Sequence, residues 1–317
     1  MSNKGMVKNL KVIFLGTPAF ALPSLAALIE NGYGVAAVVT QPDRPGNRNK
    51  TTPPPVKEAA IAAGVPVLQY EKIRRDGAAE LRGLKPDVMI TAAYGQILSK
   101  EILDIPKYGV INVHASLLPA YRGPAPINWA VARGETRTGV TIMRTDIGVD
   151  TGDMLLKRET DILPDENAAA LTERLARLGA DALIEALERI KAGKASYEKQ
   201  DESKASYFPM LRKTDGEIAW NKSARDIGNL IRGLDAYTYC GEGILKIKKA
   251  AAVSETGSAG TPGEVTVSSP KEGLRVACGA GVLELLTIQT AGGKAMDARE
   301  YLRGRGIPVG TILCGQL

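Results

Sequence analysis

The run KVIFL at Lys11 to Leu15, closed by Gly16-Thr17-Pro18 and followed over 19–31 by AFALPSLAALIEN, decides the fold. The first five residues are a short apolar strand. The turn then leads into a segment from about Pro23 to Asn31, where Leu22, Leu25, Ala26, Leu28 and Ile29 recur at helical spacing. Working outward, the alternation repeats. Val35 to Thr40 reads as strand, Val56 to Ala63 as helix, and Val65 to Leu68, Asp87 to Ala93 and Val110 to His114 as strands. Gly139 to Met143 and Met154 to Lys157 add two more candidates. Strands separated by helices pair in parallel, which predicts an α/β, doubly wound, mostly parallel sheet. Such sheets bind ligands beyond the carboxyl ends of their strands.

Glu166 to Ile190 carries Leu171, Leu175, Leu178, Ala182, Leu183, Ala186, Leu187 and Ile190 at steps of three and four. That predicts a long amphipathic helix ending at Gly193 and closing a first domain over 1–193. The polar stretch KASYEKQDESKASY over 194–207 has neither period and reads as an exposed linker. Over 208–317 a helix from Ser223 to Leu234 precedes short β-like runs at 243–247, 263–267, 274–277 and 282–288, separated by Gly and Pro turns. A small β-barrel is expected there.

The chain has 317 residues, 44% hydrophobic and 24% charged, as expected of a globular protein. Its net charge of +6 and pI near 9.1 suit a polyanionic partner, although many enzymes of small anionic metabolites share such a balance. Cys240, Cys278 and Cys314 are far apart, which points to neither a disulfide framework nor a thiolate metal site. They fit a reducing cytoplasm. No run approaches the roughly 18 apolar residues of a membrane span, and the start carries no signal-like apolar region.

The first strand-to-helix turn lacks the glycines of a dinucleotide-binding loop, and Pro18 removes an amide donor. No phosphate-binding G-x-x-x-x-G-K-[ST] motif is present. The chain's single histidine stands in Asn112-Val113-His114. Alternation along a strand puts Asn112 and His114 on one face, at the edge where ligands bind. They form a candidate oxyanion and proton-transfer pair, with a structural histidine beside a turn-forming asparagine as an equal alternative. One histidine also excludes a multi-histidine metal site, so no metal is expected.

Asp146, Asp150 and Asp153 lie in TDIGVDTGDML. Any of them could orient the imidazole or accept a proton, and any could simply form a turn. Ser116 to Pro124 (SLLPAYRGP) suits a rigid wall for an aromatic ligand, or an ordinary surface loop. Gln41 to Pro55 (QPDRPGNRNKTTPPP) carries Arg44, Arg48 and Lys50 and is expected as a mobile basic loop. Lys246, Lys248 and Lys249, with Lys222, Arg225 and Arg232 before them, fit a solvated face as readily as a nucleic-acid contact.

Together, FLGTP (14–18), TQPDRP (40–45), AAYGQIL (92–98), INVHASLLPAYRGPAPI (111–127), GVTIM (139–143) and GVDTGDM (148–154) resemble the methionyl-tRNA formyltransferase family. The N-x-H, SLLP and D-x-x-D patterns are shared with the wider group using 10-formyltetrahydrofolate. The resemblance in acceptor rests on QPDRP, the linker, and IAW (218–220), LLTIQTAGGKAM (285–296) and YLRG (301–304).

The resemblance implies a Rossmann-like catalytic domain and an OB-like tRNA-binding barrel. It implies Asn112, His114 and Asp150 as the catalytic trio, and Ser116, Leu117, Leu118 and Pro119 as the folate lining. Arg44, Arg48 and Lys50 would meet the tRNA acceptor end. The expected partners are 10-formyltetrahydrofolate as co-substrate and initiator methionyl-tRNA, for a cytoplasmic monomer with no membrane association. The alternatives are a formyltransferase acting on an amino sugar, a formyltetrahydrofolate hydrolase, for whose extra N-terminal domain the residues before the first strand leave no room, and a non-catalytic tRNA-binding protein.

The chemistry accounts for the residue types. An amine attacking a formyl carbon produces a negative oxygen and a nitrogen that must lose a proton. A donor aimed at that oxygen is worth about 100- to 1000-fold in rate. A placed proton acceptor adds about 100- to 10000-fold.

Overall fold

The computed structural model describes residues 10–45, 51–257 and 259–314. In chain order the elements are β1 (Lys11–Gly16), α1 (Leu22–Glu30), β2 (Gly34–Thr40), β3 (Arg44–Pro45), β4 (Thr51–Thr52), α2 (Pro55–Ala62), β5 (Val67–Gln69), α3 (Ile73–Asp76), α4 (Ala78–Gly83), β6 (Val88–Ala92), α5 (Lys100–Leu103), β7 (Val110–His114), α6 (Pro126–Ala132), β8 (Arg137–Arg144), β9 (Met154–Asp161) and α7 (Ala168–Lys191). Then follow α8 (Ala224–Gly233), β10 (Tyr237–Cys240), β11 (Gly243–Ser254), β12 (Val265–Ser269), β13 (Gly273–Ala277), β14 (Val282–Thr290), β15 (Met296–Asp297) and α9 (Ala298–Gly304).

The chain divides into two compact units. One comprises Met1–Pro126, Arg137–Asp161 and Ala169–Pro209, the other Ile127–Thr136, Ile162–Ala168 and Met210–Leu317. The first holds a seven-stranded sheet in the order β5-β2-β1-β6-β7-β8-β9. Pairing is parallel from β5 through β7 and antiparallel from β7 through β9. Strand order reverses between β1 and β6, which opens a crevice at their carboxyl ends.

The central strands are continuous apolar runs because both faces are covered: β6 is buried at every position and β1 at all but Lys11. Full burial of a side chain such as Phe14 contributes about 1.5–3 kcal/mol. Gly16 ends β1 because a Cβ there would come within 2.8 Å of both the Ala21 Cβ and the Phe14 ring. Helix α7 lies close behind β7 and β8, since a Cβ on Gly179 would stand 2.8 Å from Val113 Cγ1. Val113 alternates with Asn112 and His114, so this packing fixes the strand that carries them.

The expected basic loop at 41–55 is in part ordered. Arg44 pairs with Thr52 and Pro45 with Thr51 in a short ribbon, and Pro55 already starts α2. The ribbon is anchored through Asp43, which accepts from Lys57 at 2.6 Å and Gln69 at 2.8 Å. Arg48 and Lys50 lie outside the described residues.

The second unit is an antiparallel sheet in the order β10-β11-β14-β13-β12, with β15 on β14. Its closure comes from the end of the chain. Cys314 pairs with Tyr239 beside one edge and Ile312 with Glu264 beside the other. The amide of Tyr239 donates to Cys314 at 2.9 Å and that of Leu313 to Gly263 at 2.7 Å, so residues 311–314 run between the two edge strands and leave neither open. Trp220, Ile227, Leu245, Val276 and Leu283 fill the interior, and the Trp220 indole is satisfied by Thr238 Oγ1 at 3.0 Å.

Candidate active site

Strand β7 delivers Asn112 and His114 at its carboxyl end, one half-buried and the other 6% exposed. Asn112 is oriented by the neighbouring strand. Thr91 stands opposite it across the β6–β7 pair and donates its hydroxyl to Asn112 Oδ1 at 2.9 Å. With its carbonyl oxygen engaged, Asn112 presents its Nδ2 hydrogens as donors.

His114 is held at both nitrogens. Its Nε2 lies 3.0 Å from the Tyr121 carbonyl, which can only accept, so Nε2 carries a hydrogen. Its Nδ1 lies 3.5 Å from Asp150 Oδ1. Two acceptors thus flank one imidazole, with the Nδ1 edge facing Asp150.

Of the three aspartates in TDIGVDTGDML, the structure puts Asp150 against His114. Asp146 closes a turn, accepting from the Gly148 amide at 3.0 Å and Thr151 Oγ1 at 2.7 Å. Asp153 is half-buried, and its carbonyl accepts from Arg144 in the β8–β9 connection. Asp150 itself has a left-handed backbone with φ of 54°, a conformation that costs a non-glycine residue on the order of 1 kcal/mol or more. Its Oδ2 accepts from the Gly123 amide at 2.9 Å, which turns Oδ1 toward the imidazole. Gly152 is obligatory in this loop because a Cβ would sit 1.8 Å from the Arg144 carbonyl.

The turn after β7 is braced by Thr141 of β8, which pairs with His114. Its hydroxyl donates to the Ser116 carbonyl at 2.7 Å and accepts from the Leu118 amide at 3.1 Å. Ser116 donates to the Ala120 carbonyl, and Leu118 is buried with Met143 and Met154. Ser116 and Leu118 thus shape this loop from within, whereas Leu117 and Pro119 are half-buried and keep surface. The loop after β6 joins the same edge of the sheet, with the Tyr94 carbonyl accepting from Thr17 Oγ1 and Gln41 Nε2.

Residues 198–208 pass along this site and carry groups that sequence reasoning passed over. Gln200 Nε2 donates to the carbonyls of Asp150 and Gly152, both at 2.8 Å, and its Oε1 accepts from Arg122. Arg122 is 7% exposed and also grips both carboxylate oxygens of Glu202, at 2.7 and 2.9 Å. That hydrogen-bonded carboxylate holds the guanidinium above its ordinary value, and Arg122 holds Glu202 below the usual carboxylate range. Ser206 accepts from the Tyr121 amide through its hydroxyl and from the Arg122 amide through its carbonyl, and Phe208 stacks on Tyr121 with ring centroids 4.7 Å apart. A polar segment without a period offers no sequence signal for such roles. Thr91 offered one, as a hydroxyl within an otherwise apolar strand.

This geometry places an amide donor beside an imidazole–carboxylate pair at the carboxyl edge of the sheet. A family model described as formyl transferase matches residues 9–187, and one described as formyl transferase, C-terminal domain, matches 210–306. The chain belongs to the formyl transferase family. It is 50% identical to the methionyl-tRNA formyltransferase of Caldanaerobacter subterraneus subsp. tengcongensis, over 96% of this chain and 100% of that one. It is 47% identical to the protein of that name from Citrifermentans bemidjiense, over 96% of each chain. Among solved structures it shares its fold with an N-formyltransferase from Helicobacter canadensis in complex with folinic acid and dTDP-3-aminofucose. That likeness has a TM-score of 0.64 at 18% identity, covering 87% of this chain and 99% of that one. Among the described residues no cluster of side chains could hold a metal ion, and no helix is long and apolar enough to cross a membrane.

Proposed function

We propose that this chain transfers the formyl group of 10-formyltetrahydrofolate to the α-amino group of initiator methionyl-tRNA. The observation that carries the chemistry is the His114–Asp150 pair, 3.5 Å apart, beside an Asn112 amide whose carbonyl oxygen is already engaged. The acceptor is supported by relatives named methionyl-tRNA formyltransferase that align over 96% of this chain, both units included.

The amine nitrogen bonds to the formyl carbon, and the carbon's bond to N10 of the folate breaks. One proton leaves the amine and one reaches N10, so tetrahydrofolate departs neutral at that nitrogen. Asn112 Nδ2 donates to the oxygen that becomes negative at the tetrahedral stage. His114 and Asp150 hold the proton between its two positions. Because Nε2 is committed to the Tyr121 carbonyl, the exchange runs at the Nδ1 edge. This reading assigns the folate to the loops around Ser116, Leu117, Leu118 and Pro119, and the tRNA acceptor end to Arg44, Arg48 and Lys50. It takes 1–193 as the catalytic domain, 194–207 as linker and 208–317 as the tRNA-binding domain, in a cytoplasmic monomer.

The test is to incubate the protein with 10-formyltetrahydrofolate and methionyl-tRNA, initiator and elongator in parallel, beside a His114→Ala control. Formylmethionine formed on the initiator and lost in the control is expected. Consumption of the folate without formylmethionine, or formylation of an amino-sugar nucleotide in its place, overturns the acceptor.

A further inference from the structure

We propose that Gln200 is a positioning residue for the His114–Asp150 pair. The proposal rests on the formyl-transfer reading above for its kinetic consequences, and on geometry alone for its structural one.

Every polar atom of the Gln200 amide is engaged. Nε2 donates to the carbonyls of Asp150 and Gly152 at 2.8 Å each, and Oε1 accepts from Arg122 Nε at 3.0 Å and Nη2 at 2.8 Å. Its two halves hold the two pieces of chain that meet at the imidazole. On one side is Asp150, whose φ of 54° must be maintained from outside because the residue does not favour it. On the other is Arg122, flanked by Tyr121, whose carbonyl holds His114 Nε2, and by Gly123, whose amide holds Asp150 Oδ2. One amide therefore braces Asp150 through its backbone carbonyl and His114 at one remove, through the Arg122 guanidinium beside Tyr121, while touching neither imidazole nor carboxylate.

The surrounding segment keeps Gln200 in place. Glu198 pairs with Met154 by two backbone bonds of 2.8 and 2.9 Å, and the Ser206 amide and Phe208 amide bond to Pro119 and Arg122. Gln200 is thus held on both flanks, so its own rotamer has little freedom. A misplacement near 1 Å at a reacting group costs about 100-fold in rate. Loss of this strut is expected to cost about 10- to 100-fold.

The chain's single histidine makes the geometry observable without turnover, because its imidazole NMR resonances belong to His114 alone. Gln200→Ala is expected to lower kcat about 10- to 100-fold, with KM for both substrates within about threefold. It should also move the His114 titration toward that of Asp150→Asn. Gln200→Glu keeps an acceptor for Arg122 but turns an oxygen on two carbonyls, and is expected to lose as much. Asp201→Asn, next in the chain but bonded only within its own turn to Ser203 and Lys204, is expected to stay within about twofold.

An unchanged kcat and His114 titration in both Gln200 variants overturns the proposal. So does an equal loss in Asp201→Asn, or a loss traced wholly to a lowered Tm at an unaltered pH profile. If the wild-type chain formylates nothing, the formyl-transfer reading fails by itself, and the NMR titration still decides whether Gln200 positions the pair.

Discussion

The two units of this molecule treat polar side chains in opposite ways. In the first, Asn112, His114 and Arg122 are wholly or half buried, and each is held by a partner distant in sequence: Thr91, Asp150 and Tyr121, and Gln200 with Glu202. In the second, most ion pairs lie at the surface, Arg225 with Glu255 and Lys246 and Lys248 with Asp235. Exposed pairs contribute about 0–1 kcal/mol each and define no single geometry, whereas a buried polar group must have its partner. The first unit therefore spends its polar groups on a fixed arrangement. The second holds 15 basic and 14 acidic residues and neutralises its charges largely at its own surface, so most of the chain's +6 lies in the first unit.

The contrast breaks most visibly at Asp150. Asp150→Asn retains an acceptor for the Gly123 amide, so the loop keeps its anchor, but it removes the charge facing His114. A fall in kcat of about 100- to 10000-fold is expected, with a near-normal unfolding transition. Retention of more than about a tenth of the activity removes Asp150 from the chemistry.

The next effect belongs to the second unit, where one buried titratable group is the thiol of Cys278. Burial pushes the Cys278 thiol up to about 11 from an ordinary 9.0 against the lowering effect of a hydrogen bond with the Leu283 backbone, and its sulfur lies 3.8 Å from the Val276 carbonyl. The neutral thiol is the native form. As pH rises past 9 the unfolded chain ionises first, so this stability is intact below pH 9 and is lost progressively toward pH 11. The total is on the order of 2–3 kcal/mol. Both tryptophans, Trp129 and Trp220, belong to this unit, so their fluorescence reports its unfolding by denaturant. Cys278→Ala should show a smaller loss between pH 9 and 11. Identical pH dependence in the two proteins removes the thiol as its source.

How much of this was legible follows the same division. Strand β7 was read to the residue, and with it the shared face of Asn112 and His114, because a short buried strand writes its boundaries in its hydrophobicity. The pairing of His114 with Asp150 rather than Asp146 or Asp153 was not, since it depends on a left-handed turn and on an amide from Gly123. Residues 198–208 looked like solvated chain because their bonds run to backbone across the fold, and such bonds leave no period. In the second unit the antiparallel runs were legible, but Tyr237–Cys240 and the helix Ala298–Gly304 were passed over. The sequence did hold a cue for the helix: Asp297, whose side chain caps the amides of Arg299 and Glu300. Closure by residues 311–314 has no local signature, because four residues serve two edges at once.

A smaller effect sharpens the picture of the first unit. Thr91 is 8% exposed, and its hydroxyl fixes the Asn112 amide through one hydrogen bond. Thr91→Val keeps the shape and frees the amide to turn, which is expected to lower kcat about tenfold with KM little changed. Thr91→Ser restores the hydroxyl and should restore the rate. If both variants behave alike, the bond orients nothing that the reaction uses.

The smallest effect tests whether the second unit's surface charge serves the tRNA at all. Lys246 and Lys248 lie on one strand with their ammonium groups on the same carboxylate, Asp235, which they hold below the usual range against the opposing pull of burial. A lysine bonded to a carboxylate offers a phosphate less net charge than a free one, since the polyanion must compete with the acid already there. Asp235→Asn leaves the fold of an exposed side chain almost untouched and releases both cations. If this face meets the tRNA, the variant should bind it a few-fold more tightly at low salt. The slope of log affinity against log salt should steepen by about one to two, as expected when one or two more phosphates are neutralised. If the face is merely solvated, affinity and slope stay as they were, and tRNA recognition must rest on the first unit, where Arg44 and Pro45 pair with Thr52 and Thr51.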